Sequence, residues 1–257
     1  GIGGQTGASD KISTGNEGNS AENRLLDYSS MVDRPDMRLT QIDDSVQYKA
    51  NRETRKAIVR QAIKNAAAIG ETNADGGVSV YVEDIGKDVL LSTHGLQHGL
   101  DRRLQANASV TLRAGEILQN SILINKLTPQ KASASDSYVL LGAAKGTGGD
   151  TYAVEFVVNS FSNEVTSVDV LYSANAKREP AALNAPAITD NPLRITGSEI
   201  SIAQLLDFTR DNFADVLPES VLRHYGYERR PDGKIGESAL FSRELSIDRL
   251  NEENDLL

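Results

Sequence analysis

The chain has 257 residues, with 27 Lys and Arg against 36 Asp and Glu, a net charge of −9, no Cys, no Trp and 39% hydrophobic residues. That length admits one large domain or one ordinary domain with long tails, and the lack of cysteine excludes a disulfide framework, a thiolate metal site and a cysteine nucleophile. The negative charge argues against a bulk electrostatic nucleic-acid binder, but leaves room for a local basic site.

Residues 1–19 are rich in Gly, Ser, Thr and Asn, with almost no apolar content. Such a stretch cannot bury enough surface to offset its ordering entropy. Its GIGGQTG has no strand before it and no apolar helix after it, so it is not read as a dinucleotide loop. No charged-then-apolar leader opens the chain, so no secretory signal is expected. Residues 21–48 are acidic, with Leu, Met and Ile at no sustained period, and are expected to be linker with one short helix at 21–28.

The spacing of Ala57, Ile58, Ala62, Ile63, Ala66 and Ile69 predicts an amphipathic helix over 52–69, with Arg52, Arg55, Lys56, Arg60 and Lys64 on its other side. That basic side reads first as a solvated face and second as a nucleic-acid contact. Residues 73–77 carry turn chemistry, and 78–91 predict two short strands around a second turn. Helices are expected over 95–103 and 112–126. Three strands follow, at 137–144, 151–159 and 165–172, joined by short turns and so antiparallel. Pro180, Pro186 and Pro192 mark an irregular connection, and 200–213 and 218–225 read as helices. Residues 179–257 hold 8 basic and 15 acidic side chains, so much of the net negative charge lies there. The longest apolar run, 138–144, is far too short to span a bilayer.

The expected fold class is therefore α+β: an antiparallel meander of three to four strands, packed with N-terminal and C-terminal helices. A fourth strand would come from 78–82 or 188–195. The expected organisation is a linker-like segment at 1–50, a single domain at 51–228 and a charged linker at 229–257.

Two of the three histidines fall in the stretch STHGLQHGLDRR at 92–103. On a helix, His98 and Arg102 lie four apart on one face. Imidazole moves a proton near neutral pH, and guanidinium holds charge building on phosphate oxygens. The plainer alternative is a hydrogen-bonded structural histidine beside an Arg paired with a carboxylate. His94 and His98 lack a third partner, so no zinc site is expected. The exit of the third strand presents Tyr172, Ser173, Asn175, Lys177 and Arg178 in succession, a polar cluster suited to a site or to an ordinary solvated loop. The glycine-rich 145–149 stretch joins two strands and lacks phosphate-loop spacing, and no serine sits in a nucleophile elbow.

Residues 84–88 (DIGKD), 95–103 (GLQHGLDRR), 138–143 (YVLLGA) and 171–177 (LYSANAK) resemble domains of the large polyvalent proteins of phages and conjugative elements. The likeness covers about residues 78–242, and ALFSRE at 239–244 resembles their inter-domain linkers. Some of those domains are ribonucleases of the barnase–EndoU–colicin–RelE type, which place helices against a four-stranded antiparallel sheet. The resemblance implies a metal-independent, toxin-like ribonuclease without cofactor. In it His98 would be the general acid or base and Arg102 the phosphate clamp. Ser173 and Lys177 would meet phosphate or the transition state, and Arg103, Tyr172 and Asn175 would bind substrate. The implied partners are RNA and the other domains of a larger polyprotein, with no membrane, in the cytoplasm of a bacterial host or in the particle. The alternative is a non-catalytic module that binds protein or organises DNA. A third reading is an acidic nucleic-acid mimic meeting a basic partner.

Overall fold

The computed structural model describes residues 26–102, 104–128, 133–162, 167–179 and 198–238. Asp27 opens α1 (Tyr28–Val32) by accepting the Ser30 N–H at 2.9 Å. Two short strands follow, β1 (Met37–Arg38) and β2 (Thr40–Ile42). Asn51 caps α2 (Arg52–Ala66), accepting from the Thr54 N–H at 2.8 Å. Next come β3 (Glu71–Thr72), β4 (Val78–Val82) and β5 (Lys87–Leu91), an antiparallel ladder. Three helices, α3 (Thr93–Arg102), α4 (Leu104–Leu112) and α5 (Ala114–Gln119), lead to β6 (Ile122–Leu127). β7 (Asp136–Gly146), β8 (Thr151–Ser162) and β9 (Ser167–Glu179) run antiparallel to their neighbours in succession. The described chain ends with β10 (Glu199–Ile200), α6 (Ile202–Phe213), α7 (Glu219–His224) and the hairpin β11 (Tyr227–Arg229) and β12 (Ile235–Glu237).

The main sheet is large, curled and mixed, in the order β2-β7-β8-β9-β5-β4-β3. β2 and β6 share one edge of β7: β2 pairs parallel near Ala144, and β6 pairs antiparallel from Leu141 to Ser137. Period-2 alternation gives the sheet two faces. On the first, Leu140, Val154, Phe156, Val158 and Val80 pack beneath α2–α5. On the second, Val139, Leu141, Ala143 and Ile124 pack beneath α1 and α6–α7. The capping box of Ser201 and Gln204 starts α6, and Leu205, Leu206 and Phe208 supply its buried side.

This corrects the expected architecture. The fold is α+β, but its sheet is not a meander of three to four strands. The meander is present as β7-β8-β9, the centre of something larger. Residues 78–82 join the sheet, but two strands away from β9; 188–195 lie outside the described residues. The expected helix over 112–126 divides into the end of α4, α5 and strand β6. Leu112, Ile117, Leu118, Ile122 and Leu123 fit a helical face by spacing. Yet the helix stops at Asn120, and Ile122 and Ile124 enter the second core while Leu123 enters the first. Short apolar runs carry this ambiguity.

Within the expected 1–50 linker, the described part from residue 26 onward belongs to the fold. Met31, Met37, Leu39 and Ile42 are buried, one or two per short element, so no period announces them. Asp44 fastens this segment to the β7–β8 turn, accepting from Tyr152 Oη (2.8 Å), Thr147 Oγ1 (3.1 Å) and the Gly148 N–H (3.3 Å). Residues 229–237 of the expected C-terminal linker form most of the last hairpin; 239–257 lie outside the described residues.

Candidate functional site

The site is positioned by the way α3 meets β9. β5 pairs with β9 only at Asp169 and Val170, so from Leu171 onward that edge needs another cover. α3 supplies it. A Cβ on Gly95 would stand 2.0 Å from the Leu171 carbonyl oxygen, and one on Gly99 would stand 2.1 Å from that of Ala174. Only glycine allows this approach. Buried Asn107 of α4 completes the cover: its Nδ2 donates to the Gly99 carbonyl at 2.7 Å, and its Oδ1 accepts the Ala176 N–H at 2.8 Å.

β9 carries a β-bulge there. Ser173 pairs with Val157 and Leu171 with Val158, so Tyr172 is the additional residue. A bulge of this kind re-aims a side chain. Tyr172 turns towards α3, where its ring centroid lies 4.9 Å from that of His98, tilted by 38°. It also lines a cavity of about 330 Å³ on the second face of the sheet, with Ser137, Glu155, Asn159, Asp215 and Arg229. Beyond the bulge, Ser173, Asn175 and Lys177 alternate onto that same face by their register with Val157, Glu155 and Ala153. Asn175 Nδ2 donates to Glu155 Oε2 at 3.1 Å, and Ser137 Oγ to Asn159 Oδ1 at 3.0 Å. Arg229 Nη2 donates to the carbonyls of Asp215 (3.0 Å) and Leu217 (3.4 Å), which fixes the guanidinium at the rim.

Of the expected site residues, Tyr172 lines the cavity and meets the His98 ring, while Ser173, Asn175 and Lys177 follow it along the second face of β9. Ser173 is only 4% exposed. Arg102 ends α3, but its side chain lies outside the described residues, as does Arg103 altogether. Glu155 was not singled out from the sequence. It stands among Val154, Phe156, Val157 and Val158, and a carboxylate in the middle of an apolar strand was the available signal.

Among the described residues, three further polar clusters besides the one around Asp44 lie elsewhere. Lys87 Nζ sits 3.1 Å from Tyr138 Oη, 3.4 Å from Ser160 Oγ and 3.5 Å from Asp169 Oδ1, and Ser160 donates to Asp169. Burial works to lower the Lys87 ammonium, but the Tyr138 hydroxyl and Asp169 outweigh it and hold it above the ordinary lysine range. Ser160 is 2% exposed, which suits a buried structural network. The second cluster is His224, whose ring stacks on Tyr28 at 3.5 Å. The third lines a cavity of about 580 Å³ beside α1, where Asp84 holds Arg34 and accepts the Leu123 N–H at 2.5 Å.

Among the described residues, no cluster of three or more His, Asp or Glu is placed to hold a metal ion, and no helix is long and apolar enough to cross a membrane. No family model, curated protein or solved structure matches the chain.

Proposed function

We propose that the cavity on the second face of β8–β9, with His98 of α3 against the ring of its Tyr172, is the site of a metal-independent, ribonuclease-like domain of a phage polyvalent protein, acting in the cytoplasm of the bacterial host. The carrying observation is the His98–Tyr172 contact at the rim of a cavity that also holds Glu155. An imidazole and a carboxylate are the two kinds of group that proton transfer in both directions requires. Glu155 accepts the proton of the 2′-hydroxyl as that oxygen attacks phosphorus. The bond from phosphorus to the 5′-oxygen breaks, and His98 gives a proton to the leaving oxygen. The products are a 2′,3′-cyclic phosphate and a 5′-hydroxyl. Asn175 orients Glu155, Tyr172 offers a ring for base stacking, and Lys177 and Arg229 face phosphate oxygens.

The test is incubation of end-labelled RNA with the full chain in EDTA, beside the same RNA carrying 2′-O-methyl groups. The reading expects cyclic phosphate ends on the first and no cleavage of the second. Intact RNA in both cases would sink it.

A second reading, a non-catalytic protein-binding module, is favoured by a different observation. The second face of β4, β5 and the start of β9 carries Tyr81 (51% exposed), Leu90, Val168 (44%) and Val170, and α6–α7 pack elsewhere. Apolar surface left on one sheet face suits a protein contact.

A further inference from the structure

α2 carries a row of cations that the cleft does not use. Arg52, Lys56, Arg60 and Lys64 follow one another at intervals of four and are all exposed. On a helix that interval sets successive side chains on one face, about 6 Å apart along the axis and drifting about 40° per step. The opposite face, with Ile58, Val59, Ala62 and Ala66, is buried in the first core. Residues 49–64 hold six of the chain's 27 basic residues and one of its 36 acidic ones. The row is therefore a concentrated positive strip on a molecule of charge −9.

The strip is poorly neutralised from within. Its one acid, Glu53, lies 3.6 Å from Lys56 with its side chain 77% exposed, a solvated pair of little weight. Arg60 Nε donates to the Lys56 carbonyl at 3.3 Å rather than to a carboxylate. Like charges four apart disfavour a helix, so the row opposes the stability of the element that carries it. On the flank, Arg55 reaches Asp101 of α3 at 3.7 Å, which ties α2 to the helix bearing His98.

We propose that this row binds the phosphodiester backbone of a single-stranded nucleic acid, one phosphate to each cation. A single file of charges suits one strand, and the exposed Gln61 adds an amide beside it. A lipid surface fits less well, because the large apolar side chains of α2 face the core and leave little to insert between headgroups. The inference stands on the charge row alone and holds whether or not the cleft cuts RNA.

The test is fluorescence anisotropy of the full chain with labelled oligothymidylate, which lacks the 2′-hydroxyl and so cannot be cleaved by transesterification. Four phosphate contacts on a single strand predict a slope of about −2.8 in log affinity against log salt, or roughly fifty-fold weaker binding between 50 and 200 mM. Replacing Arg52, Lys56, Arg60 and Lys64 together by Gln, which keeps helix propensity, is expected to weaken binding at least about tenfold. The remaining salt slope should then be nearly flat. The single reversal Lys56→Glu should move in the same direction, and Arg223→Gln with Lys234→Gln should leave affinity unchanged. Salt-independent binding would overturn the inference, as would a quadruple variant that folds and binds like the parent. So would uptake onto phosphatidylserine vesicles through the row without binding to the oligonucleotide.

Discussion

Gly95 and Gly99 decide how closely α3 can approach the sheet, and so where His98 stands. Replacing a helical glycine by alanine ordinarily stabilises by about 1 kcal/mol. Here each new Cβ would stand close to 2 Å from a backbone carbonyl oxygen. Gly95→Ala and Gly99→Ala are therefore expected to destabilise the fold by about 1–3 kcal/mol or more in urea melts. A gain in either variant would contradict the packing described. Asp44 acts at the same scale. Burial works to raise its carboxyl, but the hydrogen bonds from Tyr152, Gly148 and Thr147 prevail and hold it below the usual carboxylate value. A carboxyl depressed in the folded state contributes stability that is complete above the unfolded value and disappears as pH falls through the folded one. Urea melts across the acid range should show that loss in the parent, and Asp44→Asn should lack this contribution to the slope. Equal pH profiles would show that Asp44 has no such role.

At the scale of elements, α3 and α4 together replace the strand that β9 lacks. Asn107 is the hinge of that replacement, since one amide satisfies a helix carbonyl and a strand N–H. Asn107→Leu should cost about 1–3 kcal/mol for each buried group left unpaired. Hydrogen exchange at the Ala176 amide should quicken more than at Val154, which stays in the ladder. Much of this element layer was legible. Helices α2 and α6 and strands β4, β5, β7, β8 and β9 follow from apolar period and turn residues. Three features were not. Residues 37–42 form strands of two and three residues, too short for any period, and their partners, Ile200 for Met37 and Ala144 for Thr40, are distant in sequence. β6 imitates a helix by spacing. The bulge at Tyr172 arises from a mismatch between two strands and leaves no mark on either alone. The same distinction runs through the site. His98 is marked by its helical spacing to Arg102, and Tyr172 and Asn175 by the polar run expected to leave the third strand at 172, a run that instead continues β9 to Glu179; Glu155 becomes meaningful only when β8 lies beside Asn175.

Over the whole molecule, charge is distributed against its own mean. The chain is acidic, yet α2 carries a positive strip, and Arg55 with Asp101 joins that strip to α3. The two proposals thereby place strand binding on one helix and bond cleavage beside the next. They remain separable: neutralising the strip should weaken binding and leave the rate at saturating RNA unchanged, whereas changes in the cleft should do the reverse. The measurement that tests the cleft most directly is single-turnover cleavage of RNA in EDTA by the parent, His98→Ala, Glu155→Gln and the double variant. If the two groups act as proton donor and acceptor in one step, each single change slows cleavage at least about a hundredfold. The double variant then loses much less than the product of the two. Rates that match the parent in either single variant would contradict the assignment.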